Sequence, residues 1–170
     1  MVNCPSSKMS AWFVVINTII AALYVAMTGI FAFMSFGAVQ FRVSEMLNHL
    51  VGYHKNYKYG VLAGVFIANL IFSTLGAWDL VFGFGQTLIS FLILEKLFKP
   101  YDSEMKRMMM TAFVFTMTMV LVAIELYIVL DLPFWFSFAT AAFGEAVVLV
   151  VSAPLMKYLN KIIGFAEKMA

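Results

Sequence analysis

The chain has 170 residues, of which 64% are apolar and 12% are charged, with a formal net charge of +2 and a mean hydropathy of +0.95. Soluble domains are about 45–50% apolar and about 25% charged, and one of about 150 residues still exposes roughly 30% of the surface of its unfolded chain. This composition therefore excludes a cytoplasmic enzyme, a secreted domain and a nucleic-acid-binding module, and it predicts an all-α integral membrane protein.

Six stretches are predicted to be membrane helices, although crossing a bilayer takes about 20 mostly apolar residues and two of them are shorter. In chain order they run over residues 11–33, 44–53, 58–72, 79–98, 104–130 and 134–159. The short ones are the second and the third. We expect the second to begin inside the membrane after a non-helical segment at 35–43, where protein or water must surround the backbone. Short connections without a linker predict a single membrane domain over residues 1–170.

The distribution of basic residues predicts the orientation of this six-helix bundle, because cytoplasmic loops of membrane proteins are rich in Lys and Arg. With the N- and C-termini both cytoplasmic, ten of the eleven Lys and Arg residues lie on the inner side, and Arg42 alone lies on the outer side. The ten inner residues are Lys8, Lys55, Lys58, Lys96, Lys99, Lys106, Arg107, Lys157, Lys161 and Lys168.

In this orientation, the polar side chains of the predicted helices gather in the outer half of the membrane. Ionisable groups at such depths are costly and commonly serve function. The candidate substrate-binding residues are Arg42, Glu45, Asn69, Asp79, Gln86 and Glu145. Glu145 lies roughly 16 Å from the outer end of its helix at 1.5 Å per residue, so its carboxylate needs a partner. Their convergence predicts a pocket that opens outward.

Each of these side chains also has a possible structural role. Asp79 can cap the helix that it opens. Arg42 and Glu45 can neutralise each other. Asn69 and Gln86 can hydrogen-bond neighbouring helices. These alternatives stay open at the level of sequence.

Three further titratable residues are not assigned to the pocket. Glu125 is close to the outer end of the fifth predicted helix, and we expect water to solvate it. His49 and His54 are five residues apart, which is a poor spacing for a shared metal ion on one helix face. No metal site and no cofactor are therefore expected.

Small residues form two faces that would let another helix approach closely. Ala22 and Ala26 form one, and Gly60, Gly64 and Ala68 form the other. Each face can pack within the bundle or against a partner protein. The sequence contains no G-x-x-x-x-G-K-[ST] phosphate-binding loop, so any ATP that drives transport is expected to bind to another chain.

Three segments resemble one family of membrane proteins. Ser35-Phe-Gly-Ala-Val-Gln-Phe-Arg-Val-Ser-Glu45 is similar to the segment between the first two helices of the QueT-like proteins. Gly64-Val-Phe-Ile-Ala-Asn69 and Trp78-Asp-Leu-Val-Phe-Gly83 match the same family in the same order. The resemblance extends over the first four predicted helices, and the last two agree by hydropathy alone.

The resemblance implies an architecture and a role. QueT-like proteins resemble the substrate-binding S-components of energy-coupling factor transporters of prokaryotic cell membranes. An S-component has six membrane helices, cytoplasmic termini and a site that faces out, and it docks on one transmembrane scaffold subunit and two ATPase subunits. The resemblance also implies that Ala22 and Ala26 form the docking face, and that the chain is not itself an enzyme.

The family name implies a queuosine precursor, a 7-deazaguanine base, as the substrate. Such a base presents N–H donors to Glu45, Asp79 or Glu145, and its flat ring can stack on aromatic side chains. An aminomethyl cation on the base would add attraction to the carboxylates.

Two alternatives to this substrate and role remain. A corrinoid such as cobalamin would suit an aromatic rim, and its amide side chains could meet Arg42, Asn69 and Gln86. A stand-alone channel or small transporter is the second alternative. An intramembrane aspartyl protease is not expected, because it needs two membrane-embedded aspartates and only Asp79 qualifies.

Overall fold

The computed structural model describes residues 11–32 and 41–169, which form helices and turns without a β-strand among them. The α-helices are α1 (Ala11–Ile30), α2 (Tyr57–Phe72), α3 (Ala77–Leu97), α4 (Glu104–Thr118), α5 (Val120–Leu130), α6 (Phe134–Ile163) and α7 (Phe165–Lys168). A 3-10 helix, here called the 3-10 segment, runs over Val43–Gly52 between α1 and α2.

Each predicted helix coincides with helical structure, but the number and kind of helices differ from the prediction. The single helix predicted over 104–130 is two helices, α4 and α5, which meet at Met119. The segment predicted as a helix over 44–53 is a 3-10 helix, so the described residues form seven α-helices and one 3-10 helix instead of six helices. Of the non-helical segment predicted at 35–43, residues 35–40 lie outside the described residues, Phe41 and Arg42 are non-helical, and Val43 already belongs to the 3-10 helix.

Four helical stretches are long and apolar enough to cross a membrane, by length and composition. They are Ala11–Ile30, Ala77–Leu97, Glu104–Leu130 and Phe134–Ile163, and the 16-residue α2 is apolar but shorter. Large apolar side chains are exposed on the outward faces of these helices, among them Trp12, Leu70, Val81, Phe113, Trp135 and Val151. In water such a surface would be unfavourable, so these faces suit contact with lipid.

The 3-10 segment occupies the middle of the helix bundle. It packs against α1, α2, α4 and α6, while the other helices follow one another around it, α1 against α2, α2 against α3, and α3 against α4 and α5. Eight of its ten residues are buried. Runs of 3-10 helix longer than three or four residues are uncommon and often coincide with functional segments.

The glycine-rich face of α2 packs inside the bundle. A Cβ on Gly60 would lie 2.7 Å from the backbone oxygen of Asn17, and one on Gly64 would lie 2.6 Å from Cβ of Tyr24. The Gly60 N–H also donates to Oδ1 of Asn17 at 2.7 Å. The Gly60, Gly64 and Ala68 face therefore serves the close approach of α1 and α2.

Polar side chains of α3 lie across the junction between α4 and α5. The Gln86 Nε2 donates to Thr118 Oγ1 at 2.9 Å and to the Phe115 carbonyl at 3.5 Å. The Ser90 hydroxyl lies 2.7 Å from the same Thr118 oxygen. These hydrogen bonds supply partners for polar groups at the interruption of the helix, as buried helix ends require.

Candidate functional site

Glu45 on the 3-10 segment has two donors for its carboxylate. Its side chain is fully buried, and Oε1 accepts a hydrogen bond of 2.5 Å from the Tyr24 hydroxyl of α1. Oε2 accepts from Nδ2 of Asn48, one 3-10 turn further along the segment. The two donors fix the position of this carboxylate within the bundle.

Asp79 in the first turn of α3 lies opposite Arg42. Its Oδ1 is 3.9 Å from Arg42 Nη2, and its Oδ2 accepts a 2.6 Å hydrogen bond from Ser73 Oγ. Asn69 of α2 donates to the Asp79 backbone oxygen at 3.1 Å. A Cβ on Gly83 would lie 2.8 Å from Asn69 Nδ2 and 3.5 Å from Arg42 Nη1, so the glycine leaves room for both groups.

Glu125 of α5 and Glu145 of α6 are buried, at 0% and 1% exposure. Neither carboxylate oxygen of Glu145 has a hydrogen-bond partner in the part of the chain that the structure describes, whereas the Glu125 carboxyl lies within hydrogen-bonding reach of the Asp79 carboxyl. Glu145 interacts electrostatically with Glu45 and Arg42, and Glu125 with Asp79 and Arg42. We call Arg42, Glu45, Asp79, Glu125 and Glu145 the carboxylate cluster.

The burial of Glu125 corrects the expectation that water solvates it. Its position near the end of α5 indicates depth along the helix, but the side chain points inward. Burial of an unpaired carboxylate costs several kcal/mol, roughly, which makes such a group a marker of function more than of stability.

The other predicted residues fall into different surroundings. Asp79 is not the N-cap of α3, because that helix begins at Ala77 after Gly76, but it lies in the first turn, where an acidic side chain is favourable. Gln86 is engaged at the junction of α4 and α5, which agrees with its structural alternative. His49 is buried, with Nε2 2.9 Å from the Leu149 carbonyl and no partner for Nδ1 among residues 11–32 and 41–169. In the same ranges no group of His, Cys, Asp and Glu side chains could hold a metal ion.

Several polar residues of this region were not assigned by sequence. They include Tyr24, whose hydroxyl binds Glu45, and Thr28, whose hydroxyl donates to Ser44 Oγ at 2.8 Å. A sequence signal was available, because Asn17, Tyr24 and Thr28 are spaced by seven and four residues and therefore share one face of α1. A polar stripe on an otherwise apolar helix indicates a face that is turned inward.

The two alanines of the predicted docking face are exposed. Ala22 and Ala26 lie on the side of α1 that faces away from the bundle, next to the exposed Ile19 and Leu23. This arrangement differs from that of the small residues of α2, which are buried against α1.

The opposite end of the bundle carries a basic cleft of about 720 Å³. Its lining residues are Val51, Tyr53, His54, Lys55, Asn56, Lys58, Tyr59, Glu95, Phe98 and Arg107. Glu95 is sixteen residues beyond Asp79 on α3, which corresponds to about 24 Å along the helix. The cleft is therefore separate from the carboxylate cluster.

The charges of the basic cleft are held near its surface. Lys58 and Glu95 form an ion pair, and Arg107 donates to the carbonyls of Gly52 at 3.0 Å and Lys99 at 2.9 Å. Partial burial, together with the neighbouring Lys55, lowers the pKa of His54. The imidazole at this end is therefore neutral over a wider range of pH.

Comparisons with known proteins agree with a membrane transporter. A family model described as QueT transporter matches residues 14–161. The chain is 33% identical over 165 residues to the Queuosine precursor transporter QueT of Lactococcus lactis subsp. cremoris (strain MG1363), an alignment that takes in 91% of this chain and 95% of the relative. No solved structure matches the chain.

Proposed function

Because the chain belongs to the QueT transporter family, a family of multi-pass membrane proteins, we propose that it is the substrate-binding S-component of an energy-coupling factor transporter. In this proposal it captures a queuosine precursor, a 7-deazaguanine base, on the outer side of a prokaryotic cell membrane. Its six membrane segments form a single domain with cytoplasmic termini, the fifth segment being α4 and α5 together.

The observation that supports substrate binding most directly is the carboxylate cluster. Glu145 presents two buried oxygens without donors, and the N–H groups of a deazaguanine are donors of the required kind. Arg42, fixed between Asp79 and Glu45, can donate to the carbonyl oxygen of the base. In this proposal Asn69 positions Asp79 through its hydrogen bond to the Asp79 backbone. Gln86 contributes indirectly, because it holds the junction of α4 and α5 in place.

The exposed face of α1 supports the proposed docking on a scaffold subunit. Small residues on an unobstructed helix face allow a second helix to approach closely. In the proposal Ala22 and Ala26 bind the scaffold subunit, and two ATPase subunits provide ATP hydrolysis. Ala22→Leu and Ala26→Leu should then preserve substrate binding and reduce uptake. Ala139→Leu, the same change at an exposed position of α6, is the matched control and should leave both unchanged.

Calorimetry on the purified chain tests the substrate. A 7-deazaguanine base and cobalamin are titrated side by side into the protein in detergent. Binding of the base with no heat from cobalamin is the expected result, and the family match does not favour the corrinoid. Tight binding of cobalamin alone would reject the proposed substrate and leave the S-component role to be tested by uptake.

Uptake of the labelled base distinguishes an S-component from a stand-alone transporter. Cells that express the chain with an energy-coupling factor module should accumulate the base, and cells that express the chain alone should bind it without accumulation. Equal accumulation in both strains would reject the S-component role, because a stand-alone channel or carrier does not depend on partner ATPases.

A further inference from the structure

The basic cleft has a chemical character that the proposed transport function does not use. We propose that it binds the headgroup of an anionic phospholipid, whose acyl chain lies along the exposed face of α2. This lipid site is separate from the carboxylate cluster and does not depend on the identity of the transported substrate.

The cleft lies where helices of the bundle begin and end. α2 begins at Tyr57, α3 ends at Leu97 and α4 begins at Glu104, and residues close to these three positions line the cleft. The ends of membrane helices lie at the level of the lipid headgroups, where tyrosine side chains are enriched. Tyr59 and Tyr101 are 52% and 77% exposed at this end of the bundle. The cleft is therefore within reach of lipid phosphates.

Basic side chains dominate the lining of the cleft. Lys55, Lys58 and Arg107 line it together with a single acidic residue, Glu95. Lys58 is in contact with Glu95, whereas Lys55 and Arg107 form no ion pair with any residue that the structure describes. Asp102 interacts electrostatically with Arg107 but has its own ion pair with another lysine. Two positive charges of the cleft are therefore available to an anion.

The Arg107 side chain is held in an orientation that suits a phosphate group. Its Nη1 donates to the Gly52 carbonyl at 3.0 Å, and its Nη2 donates to the Lys99 carbonyl at 2.9 Å. The guanidinium carbon also lies 5.7 Å from the centre of the Phe98 ring. Each Nη of an arginine carries two N–H groups, so a second donor on each remains for a ligand. Because the planar guanidinium is already fixed, it loses little conformational entropy when it binds a phosphate.

An exposed apolar stripe continues from the cleft along α2, and it favours a lipid over a soluble phosphate compound. Tyr59, Ala63, Phe66 and Leu70 are spaced by four, three and four residues, so they share one face of the helix, and all four are exposed. The stripe covers about 16 Å of helix, close to the roughly 15 Å of hydrocarbon in one leaflet. Tyr59 belongs to both the stripe and the cleft, so a phospholipid can place its phosphate in the cleft and an acyl chain on the stripe.

The test compares three phosphate compounds on the full-length protein in a neutral detergent. Phosphatidylglycerol is anionic, phosphatidylcholine has the same phosphate with a compensating cation, and glycerol phosphate has no acyl chains. Native mass spectrometry at increasing concentrations gives the dissociation constant of each. The constant for phosphatidylglycerol should be at least about tenfold lower than that for phosphatidylcholine, because two unpaired basic side chains face the headgroup. Glycerol phosphate should show no saturable binding over the same concentrations.

Three variants locate the lipid within the protein. Lys55→Gln removes an exposed, unpaired charge and should raise the dissociation constant for phosphatidylglycerol about fivefold. Glu95→Gln removes the acidic residue of the cleft and releases Lys58, so it should lower the same constant by a similar factor. Lys161→Gln removes an exposed charge of α6 outside the cleft and is the matched control, which should leave the constant unchanged. A gain of affinity in Glu95→Gln cannot result from damage to the fold.

Each contrary outcome overturns the lipid site for a different reason. Equal affinities for phosphatidylglycerol and phosphatidylcholine would show that the cleft does not recognise an anionic headgroup. Binding of glycerol phosphate as tight as that of phosphatidylglycerol would make the cleft a site for a soluble phosphate compound. Equal losses in Lys55→Gln and Lys161→Gln would show that the lipid binds to the basic surface as a whole. The comparison of the three compounds on the unmodified protein decides the question even if a variant fails to fold.

Discussion

The two ends of the bundle hold their charges in opposite ways. In the carboxylate cluster, the Arg42 and Asp79 side chains are 5% and 4% exposed and stand 3.9 Å apart. In the basic cleft, the Lys58 and Glu95 side chains are 20% and 28% exposed and in direct contact. The first end has four carboxyl groups to one guanidinium out of reach of water, and the second has an excess of basic side chains close to it.

This difference shows that the burial of a charged side chain indicates its role more clearly than the sign of its charge. Charges at the basic cleft are solvated at little cost, and in the predicted orientation they lie on the cytoplasmic side. Charges in the carboxylate cluster cost free energy of folding, and Glu145 gains no hydrogen bond from the described residues in return. The proposed binding function would account for this cost.

The largest expected contrast is between the two arginines. Arg42→Ala removes the guanidinium that faces the buried carboxylates and should lower the free energy of unfolding by about 3–5 kcal/mol. Arg107→Ala removes two hydrogen bonds to backbone carbonyls at a half-buried position and should cost about 1–2 kcal/mol. Thermal unfolding in detergent measures both, and equal losses would contradict the contrast between the two ends.

A smaller effect is expected from a methyl group placed next to Asn69. In Gly83→Ala the new Cβ displaces Asn69 Nδ2, which breaks its bond to the Asp79 carbonyl and should weaken binding of the base by about tenfold. Gly85→Ala, two residues along the same helix, places its Cβ in open space and is the matched control. Titration of both variants checks this, and an equal loss of affinity would assign the effect to helix α3 as a whole.

The ion pair of the basic cleft should contribute little. Lys58→Gln breaks the pair with Glu95, and such partly exposed pairs are worth about 0–1 kcal/mol. The loss should shrink further in high salt, which screens exposed charges. Unfolding midpoints at low and high salt measure it, with Lys96→Gln as a charge-matched control. A loss as large as that of Arg42→Ala would remove the distinction between the ends.

The smallest expected effect comes from the loop between α3 and α4. Hydrogen bonds from the Lys106 ammonium and the Lys99 N–H lower the pKa of Asp102 below its ordinary value of 3.8. A carboxyl group whose pKa is lower in the folded state stabilises that state at pH values above its ordinary pKa. This stabilisation is lost as the pH falls through the lowered pKa. Asp102→Asn should therefore lower the unfolding midpoint slightly at pH 7, and the difference should shrink below pH 3.8. A difference independent of pH would exclude this cause.

Much of the fold could be predicted from the sequence because apolar length and flanking polar residues define helix ends. The predicted ranges 58–72 and 79–98 differ from Tyr57–Phe72 and Ala77–Leu97 by at most two residues at each end. The interruption at Met119 could not be predicted, since the surrounding residues contain no proline or glycine to indicate it. The interruption lies against Gln86 and Ser90 of α3, which hydrogen-bond Thr118. Sequence patterns do not report such tertiary contacts.

The candidate site could be predicted in part, for a similar reason. Depth in the membrane identified Arg42, Glu45, Asp79 and Glu145, and the structure brings these four together. Depth alone led to the wrong prediction that water solvates Glu125, because depth along the helix does not show which face of α5 is turned inward. The role of these residues in binding stays a prediction until the titrations above are made.

The 3-10 geometry of Val43–Gly52 has a consequence for the length of this segment. Three residues complete each turn, so side chains three apart lie directly above one another. Glu45, Asn48 and Val51 form one such row, and Ser44, Leu47 and Leu50 form the next. An insertion of a single residue would rotate everything after it by about a third of a turn and exchange an amide for a leucine beneath Glu45. The segment therefore tolerates a conservative substitution more readily than any change of register.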